Sequence, residues 1–257
     1  MGLFDFLKKK NSVPPEPETK NTARPPGDKN VARLGRVVAD KLAQNYDRME
    51  AIEALSRIHS GEAAAALLKR FSFAIEPSIT DQEEKEVAFH GVVACGEAAI
   101  EPVLAYCEKA ESLTWPLKIL REILSEERFV EELVDLLDAH DTDWNRTVEP
   151  KLHLIRALEG QKSKEVKDVL LRFLEDVSEP VRFQTVIALF SQEDTSLLPA
   201  ILGKAVEEES MRLVTKVADA MAGRGWVVPE EFRGPFSRAL RASPARYDID
   251  EQGRILH

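Results

Sequence analysis

Five histidines, two cysteines and several clustered carboxylates are the residues in this chain with metal-binding or proton-transfer chemistry to offer. His59, His90, His140, His153 and His257 show neither HExxH nor HxH spacing, the patterns that bring two imidazoles to one metal. His90 and Cys95 are five residues apart, which aligns them poorly on one helical face. Cys95 and Cys107 lie 12 residues apart with no CxxC, and read as two buried, reduced thiols. The stretch AHDTDW (Ala139 to Trp144) gathers His140, Asp141 and Asp143. It lacks the glycine and distal glutamate of an EF-hand loop, so it reads as a turn in which aspartates supply caps. No Walker A, GxSxG or strand-linked GxGxxG occurs, and nothing places Ser, His and Asp together. The expectation is a non-enzyme with no catalytic residue, no metal site and no cofactor.

Two patterns of charge suggest binding instead. Glu127, Glu131, Asp135 and Asp138 recur at spacings of four, four and three, which places them in one stripe along a helix. Like charges at that spacing cost stability unless solvated or matched. Glu127, Glu131, Glu132 and Asp135 are therefore the candidate contacts for a basic protein surface. The whole chain carries a net charge of −10, so nucleic acid is not expected as a partner. At the other extreme, Leu3, Phe4, Phe6 and Leu7 precede Lys8, Lys9 and Lys10. On a helix Leu3, Phe6, Leu7 and Lys10 share a face, a pattern suited to weak contact with an anionic membrane or to docking on a protein. Gly2 is present, but Phe6 replaces the Ser or Thr of a myristoylation signal. The charges follow the apolar residues, the wrong order for a secretory signal, and no run of eighteen apolar residues exists. A cytoplasmic location is expected, possible attachment at the inner face of the membrane included.

The elements that would carry these residues are helices. Glycines number 12 in 257 residues, and apolar residues recur at spacings of three and four. After the peptide 1–10, Pro14, Pro15, Pro17, Pro25 and Pro26 mark residues 11–30 as a disordered, Pro-rich linker. An amphipathic helix with Leu34, Val37, Val38, Leu42 and Tyr46 inward should open a helical region, 31–242. Asp81 with Glu84 has the spacing of a capping box; Ser125 and Ser163 should cap two further helices. The core should include Leu120, Leu133, Leu137, Ile155, Leu158, Leu170, Val186, Leu189 and Val217. In the tail, 243–257, the apolar residues Tyr247, Ile249, Ile255 and Leu256 flank a turn at Glu251–Gly253. It should form a short extended or hairpin-like segment packed on the last helices.

The helical region repeats itself. Apolar phrases end near Ile58, Cys95, Leu124, Leu158, Leu189 and Met221, with gaps of 37, 29, 34, 31 and 32 residues. That period marks an α-solenoid of about five to six helix pairs. GEAAIEPVL (Gly96 to Leu104) and SEPVRFQTVIALF (Ser178 to Phe190) resemble bacterial HEAT repeats, including the HEAT-like repeats of phycobilin lyases. The resemblance covers about three quarters of the chain and implies an all-α, armadillo-like stack; its motifs carry no activity residues. In such stacks second helices usually line the concave face. The second-helix regions 97–111, 126–143, 163–176 and 193–209 carry charges of −3, −7, −1 and −4, while the adjoining first-helix regions 112–125, 146–160, 179–192 and 210–225 carry +1, +1, 0 and +2. The function expected from this is a protein-binding scaffold or adaptor with an acidic face. The alternative implied by the resemblance is a bilin-lyase-like enzyme or an accessory subunit of one.

Overall fold

Serine hydroxyls set where several of the helices begin, and apolar residues one turn apart set which side of each turns inward. The computed structural model describes residues 26–241, Ser243 and residues 247–256. Among them are thirteen α-helices: α1 (Pro26–Ala39), α2 (Asn45–Ser56), α3 (Gly61–Leu68), α4 (Ser78–Val93), α5 (Ile100–Cys107), α6 (Thr114–Ile123), α7 (Glu126–Asp138), α8 (Glu149–Ala157), α9 (Lys164–Arg172), α10 (Glu179–Ser191), α11 (Leu198–Glu207), α12 (Met211–Arg224) and α13 (Glu230–Leu240). Ser60, Ser125, Ser163 and Ser210 each accept a hydrogen bond from the backbone N–H three residues on, opening α3, α7, α9 and α12. Gly225, at φ 63°, closes α12 in the left-handed conformation that a side chain would resist. The fold is all-α apart from one short hairpin.

Each helix packs chiefly on its neighbour or next neighbour in sequence: α1 on α2 and α3, α2 on α4, α3 on α5, α8 on α10, α7 on α9, α10 on α12, α11 on α13. Their inward faces merge into one apolar cluster running from Val31 to Ile255. The nine residues expected in the core, Leu120 through Val217, are all at most 1% exposed.

Ion pairs tie the helices across these contacts. Glu84 on α4 accepts from Arg48 Nε on α2 at 2.7 Å and from Arg70 Nε at 2.6 Å, and all three side chains are fully buried. Arg48 also reaches the Ala43 carbonyl and Asn45; Arg70 reaches Asp81 and the Phe73 carbonyl. Both guanidinium groups lie against the Phe73 ring. Further along, Lys151 on α8 meets buried Asp176 at 2.7 Å. Arg182 on α10 grips both carboxylate oxygens of Glu208, and Arg212 on α12 pairs with Glu179 on α10.

Several expectations are corrected. The first helix begins at Pro26, inside the stretch 11–30 read as a linker, because a proline in the first helical position lacks only an N–H that has no intrahelical partner there. It ends at Ala39, so Leu42 and Tyr46 are not on its inward face; they are 88% and 78% exposed. Ile58, a repeat anchor, is exposed too. Asp81 does not cap α4, which starts three residues earlier at Ser78. Its carboxylate instead receives Arg70, Lys85 and the Ile75 N–H.

The tail forms an antiparallel hairpin, β1 (Asp248–Ile249) with β2 (Ile255–Leu256), in the register Asp248 to Leu256 and Ile249 to Ile255. It packs on α12 and α13. At its turn Gly253 has φ 83° and accepts from the Val228 N–H at 2.7 Å.

Candidate functional site

The acidic stripe of α7 borders a groove. Ser125 starts the helix and Glu126 and Glu127 occupy its first turn, where carboxylates interact favourably with the helix dipole. The last turn holds no basic residue of its own; Arg172 from α9 supplies one, pairing with Asp138 and donating to the carbonyl of His140. Opposite α7 lies the start of α9, capped by Ser163. Between them is a groove of about 690 Å³ with Val130 and Val134 in its wall. Glu126, Glu127, Glu131, Asp135 and Glu165 border it. Glu165 is held below its usual range because its carboxylate accepts hydrogen bonds from its own backbone N–H and from the Ser163 hydroxyl. Lys162, the cation bordering it among the described residues, is engaged elsewhere, with Glu193 at 2.5 Å.

No described lysine or arginine lies within ion-pairing distance of Glu127, Glu131 or Asp135. These three of the candidate contacts therefore stand together, exposed and uncompensated. Glu132 does not join them: it turns toward Arg128, 3.7 Å away, on another side of α7. The candidate docking residues Leu3, Phe4, Phe6, Leu7, Lys8, Lys9 and Lys10 lie outside the described residues.

Among the described residues no three His, Cys, Asp or Glu side chains are grouped so that they could share a metal. Cys95 and Cys107 are buried free thiols, and burial pushes Cys107 up to about 12. His153 Nδ1 accepts from the Leu113 N–H at 3.0 Å, joining α8 to the loop before α6; burial lowers its pKa. In the AHDTDW turn, Asp141 accepts from the Asp143 N–H and from Asn145, and Lys151 donates to the Asp143 carbonyl. These contacts organise a loop.

A second, larger groove of about 1290 Å³ runs between α3 and α5. Its floor is small: Gly61, Ala65, Ala98 and Ala105. The helices approach so closely that a Cβ on Gly61 would sit 2.9 Å from the Ala98 carbonyl oxygen. Its wall is aromatic, with Phe71 stacked on Trp115 at 5.3 Å, Phe89 tilted behind at 5.9 Å, and Tyr106 nearby. The sequence reading missed this groove, since alanines on the outward side of a helix give no apolar signal and the aromatics come from separate segments. It also missed the buried ion cluster, although Arg48 and Glu84 occupy core phase: Arg48 with Ile52 and Leu55, Glu84 with Ala88 and Val92.

No described helix is by itself long and apolar enough to cross a membrane. No family model matches the chain, and no curated protein matches it. A solved structure described as "Computational Design of Self-Assembling Cyclic Protein Homooligomers" is similar at 17% identity over 83% of this chain and 69% of that chain, with a TM-score of 0.15. Superposition at that level carries no argument about fold or assembly.

Proposed function

We propose that this chain is a non-enzymatic scaffold or adaptor, a HEAT-like α-solenoid whose groove between α7 and α9 receives a basic segment of another protein. What supports the stacked arrangement is the next-neighbour packing of α3 on α5, α7 on α9, α8 on α10 and α10 on α12, since a stack buries faces that one pair cannot. What carries the binding reading is the group Glu127, Glu131 and Asp135: exposed, like-charged, adjacent along one helix, bordering a groove with Val130 and Val134. A lysine- or arginine-rich segment with an apolar residue or two would meet the carboxylates and the valines together. The same field disfavours nucleic acid.

The test is the variant Glu127→Lys/Glu131→Lys/Asp135→Lys, with its fold checked by circular dichroism and melting. Proteins captured from the native cell and cross-linked through their own lysines to α7 should be lost by the variant, and their binding to the parent chain should weaken with salt. Capture that survives charge reversal overturns the assignment.

A further inference from the structure

We infer that the chain's own segment Leu3–Lys10 docks in the groove between α3 and α5. The inference does not rest on the α7 groove, and each can fail alone.

The order of chemistry along the segment matches the order along the surface. The groove offers an alanine floor and the aromatic wall of Phe71, Tyr106 and Trp115, chemistry suited to the apolar side chains of Leu3, Phe6 and Leu7. Glu62 and Glu111 on its border are offset there by Lys69 and Lys109, while Lys85 is paired with Asp81. Through Glu101 and Ala105 the groove continues into a depression of about 570 Å³ with Glu97, Glu101 and Glu108. These three exposed glutamates share one side of the α5 segment, by their spacings of four and seven. Arg128, which also borders the depression, is drawn toward Glu132. Apolar residues followed by three lysines thus face an apolar groove followed by three carboxylates.

The covalent geometry permits it. The described chain starts at Pro26, and α1 packs on α3 and on the turn Lys69–Ser72, which are walls of this groove. About fifteen residues separate Lys10 from Pro26, and at most about 3.5 Å per residue gives a span of roughly 50 Å. A tether of that length places the segment at high effective concentration over α3 and α5.

Cysteine pairs in the full chain test this, because Cys95 and Cys107 are buried. Phe6→Cys/Ala105→Cys and Phe6→Cys/Ala65→Cys report on two sides of the groove, at exposed alanines where the change is small. Phe6→Cys/Glu53→Cys is the control, on the exposed side of α2, which packs on the same α1. Under mild oxidation in dilute solution, both groove pairs should form an intramolecular disulfide at least about ten-fold faster than the control. Adding Leu3→Ser/Phe4→Ser/Leu7→Ser should remove the difference, and raising salt should reduce it. Equal rates for all three pairs overturn the inference, as do disulfide-linked dimers in place of the intramolecular bond, which would assign the segment to a second copy. Equal rates together with co-sedimentation of the full chain on anionic phosphatidylserine vesicles would assign it to a membrane surface.

Discussion

On the Glu84 carboxylate two guanidinium groups converge, and none of the three side chains reaches solvent. Two cations so close are tolerable because one anion lies between them and because carbonyls, Asn45, Asp81 and the Phe73 ring take up the remaining donors. Glu84→Gln keeps the shape and removes the charge. It should destabilise the fold by about 3–5 kcal/mol, the cost of leaving buried charges uncompensated, read from urea unfolding; a loss below 1 kcal/mol would show that water reaches the cluster. Glu208 makes a second test, through pH. Burial pushes its carboxyl up, but hydrogen bonds from Arg182 and the Ser210 N–H outweigh this and leave it below the ordinary 4.5. A carboxyl depressed on folding contributes stability that is complete above its unfolded value and is lost as pH falls through the folded one. The urea midpoint should therefore fall more steeply below about pH 4.5 in the parent chain than in Glu208→Gln. Elsewhere, Ser125 and Ser163 were legible as caps because a cap depends on residues within one turn. Asp81 has the same local signature but serves a different purpose, because its partner Arg70 comes from a distant turn that no local pattern reveals.

At the scale of the element, α7 carries a conflict. Its inward residues Phe129, Leu133 and Leu137 are fully packed, while Glu127, Glu131 and Asp135 repel one another at i, i+4 spacing. Glu131→Gln relieves two such repulsions. It should raise the free chain's stability by a few tenths of a kcal/mol at low salt, and the gain should vanish at high salt. A helix that loses stability on this change would owe something to Glu131 within its own fold, and the stripe would then need no partner. Helix positions were largely legible from apolar spacing, as the burial of Leu133, Leu137, Leu158 and Leu189 shows. Boundaries were less so: Pro26 read as linker, and the helix through Tyr46 proved to be two, broken after Ala39.

Across the described molecule each helix packs chiefly on its neighbours or next neighbours in sequence, and the proposed solenoid would assemble its stability from those adjacent interfaces. Leu158 is fully buried just after α8, and Leu158→Ala should cost roughly 2–5 kcal/mol. Under near-neighbour packing the accompanying rise in amide hydrogen exchange should centre on α8 to α10 and leave α2 to α4 little changed. Uniform acceleration from α2 to α13 would mean one indivisible cooperative unit. The all-α class was legible from periodicity throughout. The aromatic groove was not, because Phe71, Tyr106 and Trp115 meet only once three separate segments are stacked.

The Arg48–Glu84–Arg70 cluster also bears on how the chain is made. A ribosome releases residues in order, and domains form from the N-terminal side as synthesis proceeds. All three members of the cluster, and helices α1 to α3 around them, have been polymerised by the time Glu84 is added. These buried charges can thus be neutralised while most of the chain is still unmade. Nascent α2 and the turn at Arg70 then need wait only for α4, and every later helix emerges beside a surface already formed to receive it.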